Sequence, residues 1–247
     1  MILRKWEDLP EDMRTPEVLK YYDILSKRKG SLVFKRIFDI VMSLIMLIIL
    51  AIPILIISVL IAIDSPGGVF YRQVRVTTYG REFRIHKFRT MVADADKIGS
   101  SVTVAQDSRI TRIGGFLRKY RLDELPQLFD VLAGTMSYVG TRPEIPKFVN
   151  QYTDEMKATL LLPAGITSEA SIRYKDEAEL LDSADDVDEV YVEKVLPGKM
   201  KFNLRAIEKF SFIGEIATMM RTVFAVFGKE YSMEKQENKM RSIEKVR

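Results

Sequence analysis

The chain is organised around one stretch, Arg118-Lys119-Tyr120-Arg121-Leu122-Asp123-Glu124-Leu125-Pro126-Gln127-Leu128. Two adjacent carboxylates, Asp123 and Glu124, follow a group of basic residues and precede Pro126. A proline at this distance is typical of the first turn of a helix, where the helix dipole favours ionised carboxylates. Such a pair can supply an attacking oxygen together with a metal ligand or a base. An acidic first turn is also simply a good helix start, so these residues alone leave both interpretations open.

Motifs along most of the chain are similar to those of one family, the bacterial sugar transferases or monotopic phosphoglycosyl transferases. The central motif runs from Leu122 to Pro143 as Leu-Asp-Glu-Leu-Pro-Gln-Leu-x-x-Val-Leu-x-Gly-x-Met-Ser-x-Val-Gly-x-Arg-Pro, with Arg118 upstream. The other matches are Tyr71-Arg72-Gln73-x-Arg75, Lys87-Phe88-Arg89-Thr90-Met91, Asp107-x-Arg109-Ile110-Thr111-Arg112-x-Gly114, and Gly165-Ile166-Thr167 with Ala170-Ser171-Ile172-Arg173-Tyr174. They occur in family order between residues 31 and 225.

The resemblance implies a reaction in two steps. Asp123 would attack the β-phosphate of a UDP-sugar, UMP would leave, and the phosphate of a polyprenol (undecaprenol) would then take the phosphosugar from the aspartate. Glu124 would help to hold Mg²⁺ with Asp123 or would accept a proton, and both roles stay open. Two steps through a covalent intermediate suit one soluble and one membrane-bound substrate. The product would initiate a glycan, such as an exopolysaccharide, a capsule, an O-antigen or a glycoprotein.

Basic residues in these motifs are candidate ligands of the diphosphate or the nucleotide, because arginine forks can hold phosphate oxygens bidentately. They are Arg72, Arg75, Lys87, Arg89, Arg109, Arg112, Arg118 and Arg142. Arg118 and Arg142 have the spacing of the family. A basic face against anionic lipid explains Arg72, Arg75, Lys87 and Arg89 equally well, and the two accounts are compatible. Surface salt bridges are the alternative for Arg109 and Arg112.

The chain departs from the family pattern in three places. Thr141 stands where the family usually has a proline before the arginine, which raises the question of how rigid that loop is. Ile52-Pro53 replaces the Ser-Pro that is common in the membrane segment. The segment after Thr167 differs from the usual Gly-x-x-Gln-Val-Asn-Gly-Arg, so no donor sugar is inferred from the resemblance.

The longest apolar run, Ile40 to Ile63, carries no charge. As a straight helix it would reach about 36 Å, which is enough to cross the hydrocarbon core of a membrane. Pro53 in its middle would break such a helix. Basic residues flank both sides, whereas a spanning segment usually has them on one side. The residues leave a spanning and a re-entrant helix open, and the resemblance implies a re-entrant helix broken at Pro53.

The predicted fold class is α+β and mainly helical, in a monotopic membrane protein with a re-entrant helix-break-helix, a small β-hairpin and interfacial amphipathic helices. We divide the chain into a polar N-terminal extension (1–30), a membrane-embedded helix (31–66), a catalytic core (67–205) and a C-terminal amphipathic helix with a charged tail (206–247). The extension is predicted to be either loose or helical. The hairpin is predicted from two alternating runs around Tyr79-Gly80, and a turn is predicted at Pro197-Gly198.

Composition limits the chemistry. The chain has no cysteine and a single histidine, His86, which excludes a disulfide framework, a thiolate nucleophile and a multi-histidine metal site. A metal would need oxygen ligands, which favours Mg²⁺, Mn²⁺ or Ca²⁺. The net charge of +4 suits an anionic partner. Few aromatic residues lie among the basic ones, which together with the apolar run argues against nucleic acid.

The predicted partners are a UDP-sugar donor, a polyprenyl phosphate acceptor and membrane lipids, with a homo-oligomer and downstream glycosyltransferases left open. The predicted location is the bacterial inner membrane, with the catalytic part facing the cytoplasm. The alternative is a non-enzymatic membrane-anchored scaffold that binds anionic lipids or glycan-pathway enzymes. A scaffold would explain the apolar run and the net charge, but not the family spacing of Arg118, Asp123-Glu124 and Arg142.

Overall fold

The computed structural model describes residues 3–95, 107–174 and 186–227, so the predicted charged tail beyond residue 227 lies outside it. The described chain is mainly helical, as predicted. Its α-helices are α1 (Pro16–Ser26), α2 (Lys29–Ile49), α3 (Ala51–Asp64), α4 (Arg112–Lys119), α5 (Gln127–Ala133), α6 (Pro146–Val149), α7 (Asp154–Lys157), α8 (Glu169–Arg173), α9 (Val187–Val190), α10 (Leu196–Glu208) and α11 (Phe212–Phe227). Its strands are β1 (Phe70–Val76), β2 (Glu82–Phe88), β3 (Met136–Val139) and β4 (Ala164–Thr167).

The four strands form two small sheets. Strands β1 and β2 make the predicted antiparallel hairpin, with Tyr71 opposite Lys87 and Arg75 opposite Phe83. Tyr79 and Gly80 at its tip have positive φ angles of 60° and 74°, which close the tight connection. Strands β3 and β4 pair in parallel, with Met136 opposite Ala164. The chain between β3 and β4 therefore has to return to the start of the sheet.

The apolar segment forms two helices rather than one. Helices α2 and α3 meet at an angle of 62°, and only this bent pair, not any single helix of the described chain, has the length and hydropathy that a membrane crossing would need. The predicted break at Pro53 is wrong by three positions, since the bend lies at Leu50 and Pro53 falls in the first turn of α3. Proline lacks an N–H and its ring excludes the carbonyl four residues earlier, so the helix has to end one turn before it.

Buried charges attach the first half of α2 to the rest of the fold. Lys35 donates to the carbonyl oxygen of Val139 (2.9 Å) and to Glu215 of α11 (2.5 Å). Asp39 accepts a hydrogen bond from Ser137 of β3 (2.8 Å). Each of these buried charges has a partner, so the amino-terminal half of α2 is part of the core.

One face of α2, most of α3 and one side of α11 leave apolar side chains exposed. The exposed side chains are Val33, Phe34, Ile37, Ile40, Val41, Leu44, Ile45, Ile48, Ile49, Ile52, Leu55, Ile56, Val59, Leu60 and Ile63 in α2 and α3, and Ile213, Met220, Val223 and Phe224 in α11. An apolar surface of this extent is typical of an interaction with lipid or protein. Helix α11 is amphipathic as predicted, because Glu215 points inward while Ile213 is 81% exposed.

The N-terminal extension is helical and belongs to the main hydrophobic core. Thr15 caps α1 by accepting from the Val18 N–H, and Pro16 occupies the first turn. Tyr21 and Leu25 of α1 are buried in one cluster with residues of α10. Tyr21 donates to Glu155 (2.6 Å), and burial, followed by this carboxylate, raises the pKa of Tyr21 to about 12.

The predicted turn at Pro197-Gly198 is wrong. A π-helical turn, Tyr191–Val195, leads directly into α10, and Pro197 lies in the first turn of that helix. The helical run is continuous through Pro197, which lacks the N–H that would bond to the preceding turn, and the wider π-helical turn accompanies that missing hydrogen bond.

We expect Leu25→Ala to lower the free energy of unfolding by about 2–5 kcal/mol, because Leu25 is fully buried and the change leaves a cavity. The matched control is Leu19→Ala on the same helix, where the side chain is 39% exposed. Urea unfolding of the protein in detergent measures both. Equal effects of the two changes would show that α1 does not belong to the cooperative core.

Candidate active site

The two adjacent carboxylates lie in a 3-10 turn, Leu122–Glu124, between α4 and α5. Arg121 has a left-handed conformation (φ 57°) that turns the chain into it. The pair therefore lies at a helix start, as the sequence indicated, but in a short 3-10 turn, since α5 begins only at Gln127 with Pro126 before it. Asp123 and Glu124 are each only 8% exposed. Two adjacent buried carboxylates repel each other, so the site depends on what neutralises them.

Glu124 is surrounded by cations. Its carboxylate accepts from Lys87 of β2 (3.1 Å) and from both terminal nitrogens of Arg142, one of them at 3.3 Å. Arg121 lies 4.0 Å away. Burial alone would raise the pKa of Glu124, but Arg142 and then Lys87 outweigh burial and hold the pKa well below its ordinary value. Glu124 is therefore an ionised group whose oxygens are already hydrogen-bonded.

Asp123 has the opposite environment. Its Oδ1 atom is buried and has no hydrogen-bond partner among the residues that the structure describes. Burial, and then the negative charge of Glu124, raise the pKa of Asp123 above its ordinary value. Neighbouring carboxylates with pKa values shifted apart are a common arrangement where the two groups have different chemical roles. Asp123 is the carboxylate of the pair that is open to a ligand or a reacting atom.

The pair lines a cavity of about 1060 Å³. Of the eight predicted basic ligands, Arg75, Lys87, Arg89, Arg109, Arg118 and Arg142 also line it. The structure does not bring Arg72 and Arg112 to the cavity. Arg72 is exposed and donates to the Arg84 carbonyl (3.2 Å). Side chains alternate along β1, and those of Tyr71, Gln73 and Arg75 line the cavity while Arg72 lies on the opposite face. Arg112 is exposed at the start of α4.

Besides Lys87 and Arg142, which hold Glu124, Arg89 and Arg109 also have structural partners. Arg89 donates to the carbonyl oxygens of Ser65 (2.6 Å) and Pro66 (2.7 Å) and so fixes the turn after α3. Arg109 forms an ion pair with Asp107 (2.5 Å). The side chain of Arg118, by contrast, makes no hydrogen bond to any residue of the described chain. Among these three arginines, Arg118 is the one whose donors are open to a bound phosphate.

The loop after β3, residues 140–145, presents Arg142 to Glu124. Four hydrogen bonds fix it: Gly140 N–H to Thr167 O (3.0 Å), Gly165 N–H to Thr141 O (2.8 Å), Val76 N–H to Glu144 O (2.9 Å) and Arg75 Nη1 to Pro143 O (3.1 Å). The Thr141 carbonyl belongs to this set, so the loop is held firmly although Thr141 replaces the usual proline. A side chain at Gly165 would come within 2.1 Å of the Gly140 nitrogen, which explains the glycine at that position.

Sequence reasoning missed a second buried ionic cluster on the same cavity. Glu144 accepts from the Tyr191 hydroxyl (2.5 Å) and lies 3.5 Å from Lys199 and 3.9 Å from Arg75. Burial would raise the pKa of Glu144, but Lys199 and then Arg75 lower it below its ordinary value. The position of Glu144 directly after Arg142-Pro143 was an available signal. No sequence pattern pointed to Tyr191 and Lys199, since they come from a distant part of the chain.

The cavity lining also has an apolar part, which includes Met46 near the end of α2 and Leu50 at the bend between α2 and α3. Tyr138, Ile166 and Ala225 of α11 also line it. The cavity therefore connects the buried carboxylates with the apolar helix pair. A ligand that fills it would contact both charged and apolar surface.

The sequence model of one family, described as "Bacterial sugar transferase", matches residues 30–229. A Bacillus subtilis (strain 168) protein named putative undecaprenyl-phosphate N-acetylgalactosaminyl 1-phosphate transferase is 41% identical over 159 residues, which are 64% of this chain and 87% of the relative. The UDP-glucose:undecaprenyl-phosphate glucose-1-phosphate transferase of Escherichia coli (strain K12) is 32% identical over 222 residues, which are 88% of this chain and 45% of the relative.

An Aeromonas hydrophila protein named UDP-N-acetylgalactosamine-undecaprenyl-phosphate N-acetylgalactosaminephosphotransferase is 43% identical over 122 residues, 49% of this chain and 29% of the relative. This chain thus covers most of the Bacillus relative and less than half of the other two. The family match begins at residue 30, so the N-terminal extension and helix α1 lie outside it.

We expect Gly165→Ala to lower the free energy of unfolding by about 1–3 kcal/mol or more, because the new methyl group would meet backbone atoms that cannot move aside. Gly30→Ala is the control, since nothing lies within 4 Å of a methyl group there. Thermal unfolding of both variants in detergent tests the prediction. A Gly165→Ala variant as stable as Gly30→Ala would contradict the close approach of the two glycine backbones.

Proposed function

Because this chain belongs to the bacterial sugar transferase family, and is thereby a phosphoglycosyl transferase, we propose that it transfers a sugar 1-phosphate from a UDP-sugar to undecaprenyl phosphate. Relatives are named as transferases of this kind for N-acetylgalactosamine or for glucose. The product would initiate the assembly of a glycan. The observation that best supports the proposal is that the two carboxylates have different surroundings. Asp123 has a buried oxygen without a hydrogen-bond partner in the described chain, whereas Arg142 and Lys87 neutralise Glu124.

In the first step, a carboxylate oxygen of Asp123 attacks the β-phosphorus of the UDP-sugar. The bond from this phosphorus to the bridging oxygen breaks, UMP leaves with the electron pair, and the phosphosugar stays on Asp123. Both oxygens of Glu124 accept hydrogen bonds from Arg142 or Lys87, so Glu124 does not compete as the nucleophile. Arg118 has donors available for the phosphate oxygens.

In the second step, a phosphate oxygen of undecaprenyl phosphate attacks the phosphorus of the aspartyl adduct. The bond to Asp123 breaks and the free carboxylate returns, while the product leaves as a polyprenyl-diphospho-sugar. An acyl phosphate is a reactive mixed anhydride, so the Asp123 carboxylate is a suitable leaving group. The intermediate lets the soluble donor and the membrane acceptor use the same site one after the other.

The carboxylate pair fits a magnesium ion that is shared with the substrate rather than held in an all-protein cage. Across the described chain, no three acidic or histidine side chains come together as a metal site. Mg²⁺ is commonly held by one or two carboxylates together with substrate phosphates. Asp123 offers its unpartnered oxygen, while both oxygens of Glu124 are hydrogen-bonded to cations. When bound, the ion would offset the charge of the diphosphate.

We propose that the protein acts at the bacterial inner membrane with its catalytic part facing the cytoplasm. The exposed apolar surface of α2, α3 and α11 is suited to lipid, and the cavity reaches the bend at Leu50. A polyprenol tail stays in the bilayer, so its phosphate has to meet Asp123 at the membrane surface. The basic residues on both sides of the apolar segment favour a re-entrant arrangement with both ends on one side.

The main test is UMP release from a panel of UDP-sugars, including UDP-glucose and UDP-N-acetylgalactosamine, in the presence of Mg²⁺ and undecaprenyl phosphate. We expect the wild type to release UMP with at least one donor. Asp123→Asn should abolish both the release and the covalent phosphosugar adduct, because an amide oxygen is a poor nucleophile. Asp154→Asn, which alters an exposed aspartate on α7, is the matched control and should be fully active.

Ordinary turnover by Asp123→Asn would contradict the aspartyl mechanism. Absence of UMP release by the wild type with every donor would contradict the proposed reaction and favour the non-enzymatic scaffold.

The membrane arrangement can be tested with single cysteines, because the chain has no natural one. Gly30→Cys and Gly68→Cys place a thiol at each end of the α2–α3 pair, at positions that are exposed. A re-entrant pair predicts that a membrane-impermeant maleimide labels both thiols in inside-out vesicles and neither in intact spheroplasts. Labelling of one thiol from each side would mean that the pair spans the membrane.

A further inference from the structure

We propose that Lys199 and Tyr191 are positioning residues for the reaction: they hold Glu144, and through it the loop that presents Arg142 to Glu124. The inference rests on the proposed function and adds to it two residues from the C-terminal half of the chain. Neither lies in a motif that carries the family resemblance.

The contacts form a continuous path. Lys199 of α10 donates to the Tyr191 hydroxyl (2.9 Å), and the hydroxyl donates to Glu144 (2.5 Å). The other oxygen of Glu144 faces Arg75 at 3.9 Å. Arg75 in turn donates to the carbonyl oxygen of Pro143, the residue after Arg142. The loop is thus held at its far end by buried polar groups, and Arg142 at its centre reaches Glu124.

The burial of this cluster argues for a role beyond stability. Glu144, Tyr191 and Lys199 are 6%, 4% and 4% exposed. A buried ion pair is often no more stabilising than well-packed apolar residues of the same size, because both charges lose their hydration. Here the charges line the same cavity as Asp123 and Glu124. Tyr191 also begins a π-helical turn, a local irregularity that is frequent at functional sites.

The path predicts a specific kinetic effect. If the loop is held less firmly, Arg142 holds Glu124 less well, and Asp123 loses the environment that makes it the nucleophile. This loss affects the transition state more than the binding of the donor, so kcat should fall while KM changes little. A lysine that bound the donor phosphate directly would instead raise KM when it is removed.

The experiment measures UMP release at varied donor concentration for Lys199→Met and Tyr191→Phe. We expect kcat to fall by about tenfold or more and the donor KM to stay within about threefold of the wild type. Lys201→Met is the matched control, since it removes the same charge from an exposed position on the same helix. Tyr191→Phe removes only the hydroxyl that joins Lys199 to Glu144, so it keeps the test valid if Lys199→Met does not fold.

A double-mutant cycle with Glu144→Gln shows whether Lys199 acts on catalysis through Glu144 or independently of it. If Lys199 acts through Glu144, adding Lys199→Met to Glu144→Gln should lower kcat by less than Lys199→Met does alone. Fully multiplicative losses would overturn the inference. So would kinetics of Lys199→Met equal to those of Lys201→Met, or a rise in KM with kcat unchanged. A wild type without UMP release would instead overturn the proposed function, and this inference with it.

Discussion

The arrangement of the site depends on the neutralisation of Glu124. Two adjacent carboxylates cannot both be buried and ionised unless cations compensate for the lost hydration. Lys87 comes from the hairpin, Arg142 from the loop after β3, and Arg121 from the turn itself. Three separate parts of the chain therefore have to meet at one carboxylate. This requirement explains why the loop after β3 is fixed to the hairpin by hydrogen bonds such as Val76 N–H to Glu144 O.

Hydrogen bonds also join the carboxylates Asp123 and Glu124, by way of α5, to the apolar helices α2 and α3. Arg36 of α2 donates to the carbonyl oxygens of Val131 and Leu132 at the carboxyl end of α5, where the helix dipole favours a cation. Helix α5 begins three residues after Glu124. In the proposed membrane arrangement, the depth of α2 would thus set the position of the carboxylates relative to the lipid surface. An acceptor with a membrane-bound tail requires such a fixed relation.

The sequence predicted local features better than tertiary ones. The hairpin was predictable because its strands alternate and Tyr79-Gly80 marks the turn, and the helix break was predictable because of Pro53. The break was misplaced since the effect of a proline falls on the turn before it. The side of β1 on which Arg72 lies could not be predicted, because the cavity face of β1 depends on tertiary packing. Tyr191 and Lys199 reach the site only through folding of the C-terminal half, which no local pattern shows.

The N-terminal extension supports the contact that Lys199 and Tyr191 make with Glu144. A side chain can orient a reactive group only if its own backbone is held rigidly. Helix α10, which carries Lys199, packs against α1, and Leu25 and Tyr21 lie in the same core cluster as Tyr191 and Met200. The family match begins at residue 30, so in this chain part of that support comes from outside the matched region. The extension is therefore a structural component of the catalytic core, rather than a polar segment attached in front of it.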